Sequence, residues 1–274
     1  MKSRRYDGKQ MLHKTIDILP WLVMLLLDLW LIRYFGRYGK HWFNADVSSE
    51  MVLAKLLNQE SRFFSPNWFY STELRVVTNV LTHRLGLLFS SSWHTARTIS
   101  IGISLVTLQA GTVWMLCPTR LWKFAPIFAA IVALPFSEKY LFLLPYGGFY
   151  VGHTLLCFMI LGALIRLSDS KRRSGSVFGA FSAALLSILW GLGGVRPLIM
   201  LGIPAFATAF LLTAQMFGGR VPVKEKARSL YLLAGGASAL AGAVLGCLIN
   251  RLVLSEIFCF ESFDDLRVVS IKLV

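Results

Sequence analysis

Seven apolar runs, each near the length that crosses a lipid bilayer, constrain this chain more than any other feature. They are Asp17–Phe35, Thr98–Cys117, Trp122–Phe136, Phe149–Leu167, Val177–Val195, Pro197–Phe217 and Leu230–Leu254. A hydrocarbon core of about 30 Å takes about 20 mostly apolar residues as a helix, which satisfies its own backbone in lipid. The third run is short and carries Pro126 and Pro135; the apolar segment Leu141–Pro145 either extends it or forms a re-entrant turn. Basic residues precede the first run, as in a signal peptide, but it is too long and lacks a small-residue cleavage site. It therefore reads as a retained span. Composition agrees, with 55% of residues hydrophobic and 15% charged, against roughly 25% charged in a soluble domain. The expected fold class is all-α: a polytopic membrane protein with about seven transmembrane helices in one domain over 1–274.

Lys and Arg in the short connections set the orientation. With the N-terminus (1–16) cytoplasmic, 15 of the 28 basic residues fall in four short inside segments. These carry Lys2 to Lys14, Arg120 and Lys123, Arg166 to Arg173, and Arg220 to Arg228. The short outside turns carry only Lys139 and Arg196, while Asp46, Glu50, Glu60, Glu73, Glu138 and Glu256 all lie outside. The net charge of +14 is thus topogenic, which argues against a nucleic-acid partner and for lipid. The chain is expected in the cell membrane, N-terminus in. Segment 36–97 is then extracytoplasmic, 98–254 makes six further spans, and the tail 255–274 is again outside. Cys117, Cys157, Cys247 and Cys259 show no C-x-x-C and no metal spacing.

The segment 36–97 is too long for a passive connector. From Asp46 to Glu60 the apolar residues Val52, Leu53, Leu56 and Leu57 recur at helical spacing, with Glu50, Lys55 and Asn58 on the other face. An aromatic cluster follows, Phe63, Phe64, Trp68, Phe69 and Tyr70, interrupted by Pro66. A second run, about Thr72 to Phe89, sets Leu74, Val77, Leu81 and Leu88 on one stripe and turns Arg75, Thr78, Asn79, Thr82 and His83 away from it. The pattern predicts two interfacial helices half sunk in headgroups; a cap that packs on the bundle and does nothing else has the same pattern. Gly242 and Gly246, four apart, permit close helix approach in the last span. The Gly-Gly pairs at 147–148, 193–194 and 218–219 read as turns.

No HExxH, GxSxG, EF-hand, P-loop or dinucleotide pattern occurs, so those chemistries have no support. What remains is a set of acids and bases on the outer side. Asp46 opens the first amphipathic run, where Asp suits an N-cap and also a carboxylate that takes a proton or holds a divalent metal. Glu138 lies in the turn between the third and fourth spans, close to the aromatic stretch Tyr140–Tyr150. Glu73 suits a helix start. Arg62, Arg75, Arg84 and Arg196 offer bidentate phosphate contacts or headgroup anchors. His153 reads as a packing residue. Asp28 lies about 16 Å inside the first span, where a carboxylate is costly and implies a partner. Arg33, five residues on, is poorly placed to be that partner.

Three segments carry a resemblance: FNADVSSEMVLAKLL around Asp46, FSPNWFYSTELRV from Phe64 to Val76, and SEKYLFLLPYGGFYVGHT from Ser137 to Thr154. With the order of helices, they resemble the module of the polyprenyl-phosphate-dependent glycosyltransferases of the GT-C fold, relatives of the aminoarabinose and protein mannosyl transferases. The resemblance implies a sugar donor on a polyprenyl phosphate and an acceptor of unspecified kind on the extracytoplasmic side. It makes Asp46 the catalytic or metal-binding carboxylate and Glu138 its companion. Arg62, Arg75, Arg196, Trp68 and Tyr70 become the donor-binding residues, and a divalent metal at Asp46 the one cofactor it allows.

Relatives of that kind commonly continue with more spans and an outer domain, and the present chain stops twenty residues after its seventh run, as a reduced or truncated member would. Two further readings stand beside the transferase. Asp28 and the Gly-Gly breaks suit a transporter or lipid flippase, although no internal repeat accompanies them. A truncated, non-catalytic membrane module is the other.

Overall fold

A computed structural model describes residues 8–70, 76–169, 173–219 and 222–260. Among these the chain is all-helical apart from one two-residue parallel bridge. Helix α1 (Gly8–Tyr38) leads through a 3-10 turn into α2 (Ala45–Glu60); β1 (Phe69–Tyr70) and α3 (Asn79–Phe89) precede α4 (Trp93–Leu116). Short helices α5 (Ala125–Ala133) and α6 (Glu138–Leu141) follow, then α7 (Val151–Asp169), α8 (Arg173–Gly191), α9 (Ile203–Gly218) and α10 (Val223–Ile249). Strand β2 (Cys259–Phe260) returns to β1, with Phe69 opposite Cys259 and Tyr70 opposite Phe260.

Four helices are long and apolar enough to cross a membrane: Ile18–Trp42, Trp93–Leu116, Leu198–Gly218 and Glu225–Ile257. The pair Arg120–Ala133 and Glu138–Tyr146, bent by 103°, makes a fifth if it is one broken span. Val151–Leu167 and Val177–Gly191 are apolar but shorter. The bent pair answers to the short third run, and its cause is local. Pro135 cannot donate a helical hydrogen bond and pushes its predecessor out of the helical region. Leu134 is accordingly extended (φ −66°, ψ 134°), and Ser137 restarts the helix by accepting from the Tyr140 amide at 3.1 Å. The Tyr140 hydroxyl donates back to the Val132 carbonyl at 2.5 Å and closes the bend.

The outward faces are apolar. On α1 Ile18, Leu22, Leu26 and Leu29 are exposed, whereas Asp28, Leu31 and Phe35 are buried. Surfaces of this kind are solvated by lipid rather than water, and the protein is membrane-embedded. Helix α3 follows the same inversion. Its polar residues Asn79 and His83 are buried, and its apolar Leu85, Leu88 and Phe89 are exposed. The polar face packs because α4 meets it with hydrogen-bonding groups: Ser100 Oγ donates to the Thr82 carbonyl at 2.8 Å, and Ser104 Oγ to Thr82 Oγ1 at 3.2 Å. The polar residues opposite the apolar stripe are thus a contact face of the bundle.

Successive helix ends meet at two levels. At one end Tyr146 donates to the Gly39 carbonyl at 2.7 Å, His94 Nε2 lies 2.8 Å from the Gly36 carbonyl, and Cys247 donates to the Gly194 carbonyl at 2.7 Å. At the other, Arg166 donates to the Trp114 carbonyl at 2.8 Å and Thr213 to the Ser229 carbonyl at 3.0 Å. Helix α10 runs along α8 and α9, and its glycines permit the approach: a methyl on Gly242 or Gly246 would collide with the carbonyls of Ala184 and Ile188.

Candidate functional site

The first of those ends encloses a cavity of about 500 Å³. Its floor is the first turns of α2. Asn44, not Asp46, caps this helix, its side chain accepting from the Val47 amide at 3.0 Å. Asp46 is therefore spared from capping, and its exposed carboxylate lines the cavity beside Ser49 and Glu50. Four residues apart on a helix, Asp46 and Glu50 share one face. The Ser49 hydroxyl is turned to the Asp46 backbone carbonyl at 2.8 Å.

Aromatic side chains make the walls. Trp68, Phe69 and Tyr70 come from the segment after α2, and Phe142, Phe149 and Tyr150 from the second arm of the bent helix pair and its exit. The first group is braced from two sides. The Tyr70 hydroxyl accepts from the Ser65 amide at 2.9 Å, and burial pushes its pKa up, so it stays a neutral phenol. Phe258, beyond α10, packs edge-on against Tyr70 and Phe64 at 5.8 and 5.7 Å between ring centres. Asn67 donates to Glu60 at 3.1 Å across the loop and holds that carboxyl below the usual range. Opposite in charge to the two acids, Arg196 completes the lining from the turn between α8 and α9. Gly194 makes that turn with φ +97°, open to glycine at no steric cost.

Behind the cavity lies a polar tie. Asn79, 1% exposed, directs its amide nitrogen to both the Glu50 carboxylate and the Gly147 carbonyl, the latter at 2.8 Å. Its amide oxygen accepts from the Thr78 hydroxyl at 2.7 Å. Deeper still, buried Arg97 contacts the ring nitrogens of His83 and lies over the Tyr146 ring, 5.1 Å from its centre. Burial, and then the Arg97 charge, hold the His83 pKa well below the usual imidazole range. His83 is thus a neutral acceptor for Arg97 rather than a cation.

The cavity brings together Asp46, Trp68, Tyr70 and Arg196 from the sequence candidates. Glu138 is not among its lining residues; it is exposed at the start of α6, beside the bend. Arg62 is exposed just past α2 and also outside the lining, and Arg84 donates to Asn58 at 2.8 Å. Arg75 and Glu73 lie outside the described residues. His153 is buried and accepts from the Trp190 indole at 2.6 Å, as a packing residue does. Asp28 finds the partner that the sequence left unnamed: Gln109 of α4 donates to it at 2.7 Å. Glu50 escaped notice as a site residue, though its spacing from Asp46 was the available signal.

Among the described residues no group of three or more His, Cys, Asp and Glu gathers. Asp46 and Glu50 are nonetheless the donor set that suits magnesium, which is commonly held by one or two carboxylates together with a substrate phosphate. Comparisons with family models, with curated proteins and with solved structures find no match to this chain.

Proposed function

We propose that this protein is a membrane glycosyltransferase that moves a sugar from a polyprenyl-phosphate donor to an acceptor on the extracytoplasmic side. The observation that carries the reading is the cavity itself. Two carboxylates, a guanidinium and six aromatic side chains line one space at one end of a lipid-facing bundle. Aromatic faces suit the C–H faces of a sugar ring, carboxylates accept from its hydroxyls, and Arg binds phosphate bidentately. Its volume lies in the range of small-molecule sites.

The topology assigned to it has seven spans with the N-terminus inside. The alternating helix ends support it, as do the basic residues Arg120, Lys123, Arg166, Lys226 and Arg228 at the end away from the cavity. Helices α7 and α8, at 19 residues each, are about 28 Å long, close to the hydrocarbon thickness. Helices α2 and α3 then lie at the outer interface, with Leu85, Leu88 and Phe89 toward lipid.

In the reaction, an acceptor hydroxyl attacks the anomeric carbon while the bond from that carbon to the phosphate oxygen breaks. Asp46 takes the hydroxyl proton. The electron pair leaves with the polyprenyl phosphate, whose growing charge Arg196 offsets. Asp28 lends the transporter little support, since its bond to Gln109 ties α1 to α4 as a structural contact would. The test is donor consumption in liposomes with a panel of polyprenyl-phosphate sugars. Asp46→Asn is expected to lower turnover by roughly 10²- to 10⁴-fold with folding intact, the range typical of a lost general base. Normal turnover in that variant overturns the proposal.

A further inference from the structure

Resting on the transferase reading, we infer that Glu50 is a second substrate-contacting carboxylate of the cavity, accepting from sugar hydroxyls, and that Asn79 is the residue that positions it. Glu50 lines the cavity one helical turn beyond Asp46, so a sugar whose anomeric carbon lies near Asp46 has ring hydroxyls within reach of Glu50. A carboxylate on a helix surface ordinarily samples several rotamers. Here one is selected, because Asn79 donates to the Glu50 carboxylate from a nearly sealed position.

The Asn79 amide itself has one orientation. Its nitrogen faces two acceptors, the Glu50 carboxylate and the Gly147 carbonyl, and its oxygen faces one donor, the Thr78 hydroxyl. Turning the amide over would set its oxygen against both acceptors and leave buried groups unpaired. The Gly147 carbonyl reaches Asn79 because Gly148 adopts φ +71° and carries no side chain; a Cβ there would come 3.0 Å from Asn79 Cβ. The exit of the bent helix pair, the start of α3 and the floor of the cavity are thus joined through one amide. A carboxylate that accepts one bond from Asn79 keeps further lone pairs with which to accept from hydroxyls in the cavity. Glu138, the companion acid expected from the resemblance, does not line this space, and Glu50 does.

The experiment compares wild type, Glu50→Gln, Asn79→Ala and the double variant in liposomes, using the same panel of polyprenyl-phosphate sugars. Donor consumption and quenching of tryptophan fluorescence are followed separately. Glu50→Gln is expected to raise the donor KM by about 10- to 100-fold, with a smaller effect on kcat, as for a lost hydrogen bond to a charged group. Asn79→Ala is expected to do the same, and the double variant no more than either single one, because both changes remove one interaction. Additive effects, or a fall in kcat alone, overturn the positioning role. Unchanged KM and binding in Glu50→Gln, an isosteric change on a half-buried residue, overturn the inference while wild-type turnover keeps the transferase reading. Donor binding weakened by Glu50→Gln, with no turnover in wild type, upholds the contact and overturns the transferase reading. Neither binding nor turnover in wild type overturns both.

Discussion

Replacing Gly246 by alanine tests the packing on which the Arg196 side of the cavity depends. Gly242 and Gly246 of α10 and Gly191 of α8 meet at one crossing. A Cβ on Gly246 would collide with the Ile188 carbonyl oxygen and come 2.8 Å from the Gly191 Cα. Ordinary contacts between such atoms are about 3.5–4.0 Å, and both obstacles are backbone, so the helices must part by roughly 1 Å. A gap of that size forfeits about a quarter to a half of each dispersion contact it opens. Overpacking costs about 1–3 kcal/mol, against at most about 1 kcal/mol gained from alanine's better helix propensity, so strain wins. The displacement also reaches the site. Cys247 donates to the Gly194 carbonyl at 2.7 Å and Asn250 to the Leu192 carbonyl at 2.5 Å, and those two bonds hold the turn that carries Arg196. Thermal unfolding in detergent, together with maleimide labelling of Cys247 in a background lacking the other cysteines, reads both effects. Gly218→Ala is the control, since nothing lies within 4 Å of a Cβ there. Gly246→Ala should unfold at lower temperature and label faster, whereas Gly218→Ala should do neither. Equal behaviour of the two variants would refute the close-approach argument.

Two further outcomes are expected. Gln109→Leu removes the donor that Asp28 uses inside the bundle and should destabilise the protein by about 1–3 kcal/mol, whereas Asp28→Leu combined with Gln109→Leu should recover most of that loss in thermal unfolding. His83 is held neutral in the fold but titrates near pH 6.5 when unfolded, so the unfolded chain binds the extra proton as pH falls. Its contribution is complete above about pH 6.5 and is lost below it by at most about 1.4 kcal/mol per pH unit, until the lowered folded pKa is reached. Unfolding followed from about pH 7.5 to 5 should show that slope in wild type and a flatter one in His83→Gln.

The bundle was legible in the sequence because lipid rewards length and uniform apolarity, properties that a linear scan measures directly. The seven runs fall on helical segments, of which four are long and apolar enough to cross a membrane, or five with the bent pair, and Pro135 already marked the run that bends. The burial of α3 was not legible in the same way. An amphipathic pattern shows that a helix has two unlike faces but not which solvent each meets; in water the polar face turns outward, and beside α4 it turned inward. Asp28 and Gln109 lie eighty-one positions apart, so no local spacing could have paired them. Asp46, Trp68 and Tyr70, which line one cavity, stood out because segment 36–97 is a long, acid- and aromatic-rich departure from the apolar background. Glu50 was passed over because a lone acid on a helix is usually a solvated face, and only the fold brings the deeply buried Asn79 to it.

The cavity owes its shape to joints rather than to helices. Its acids come from the start of α2, its aromatic walls from the segments around Tyr70 and Phe149, and its guanidinium from the turn after α8. Each of these four non-helical or terminal pieces is fastened by a residue of another element: Asn79 on both Glu50 and Gly147, Phe258 beside Tyr70, Cys247 on Gly194. Two of the three fasteners engage turns made by glycines with positive φ, Gly148 and Gly194, where a side chain would strain the backbone. A rigid lipid-facing bundle therefore sets the distance between the acid and the arginine walls, and the joints set how each wall faces. On this reasoning, substitutions at the joints should alter the shape of the cavity as well as stability, whereas substitutions in helix crossings far from it should alter stability alone.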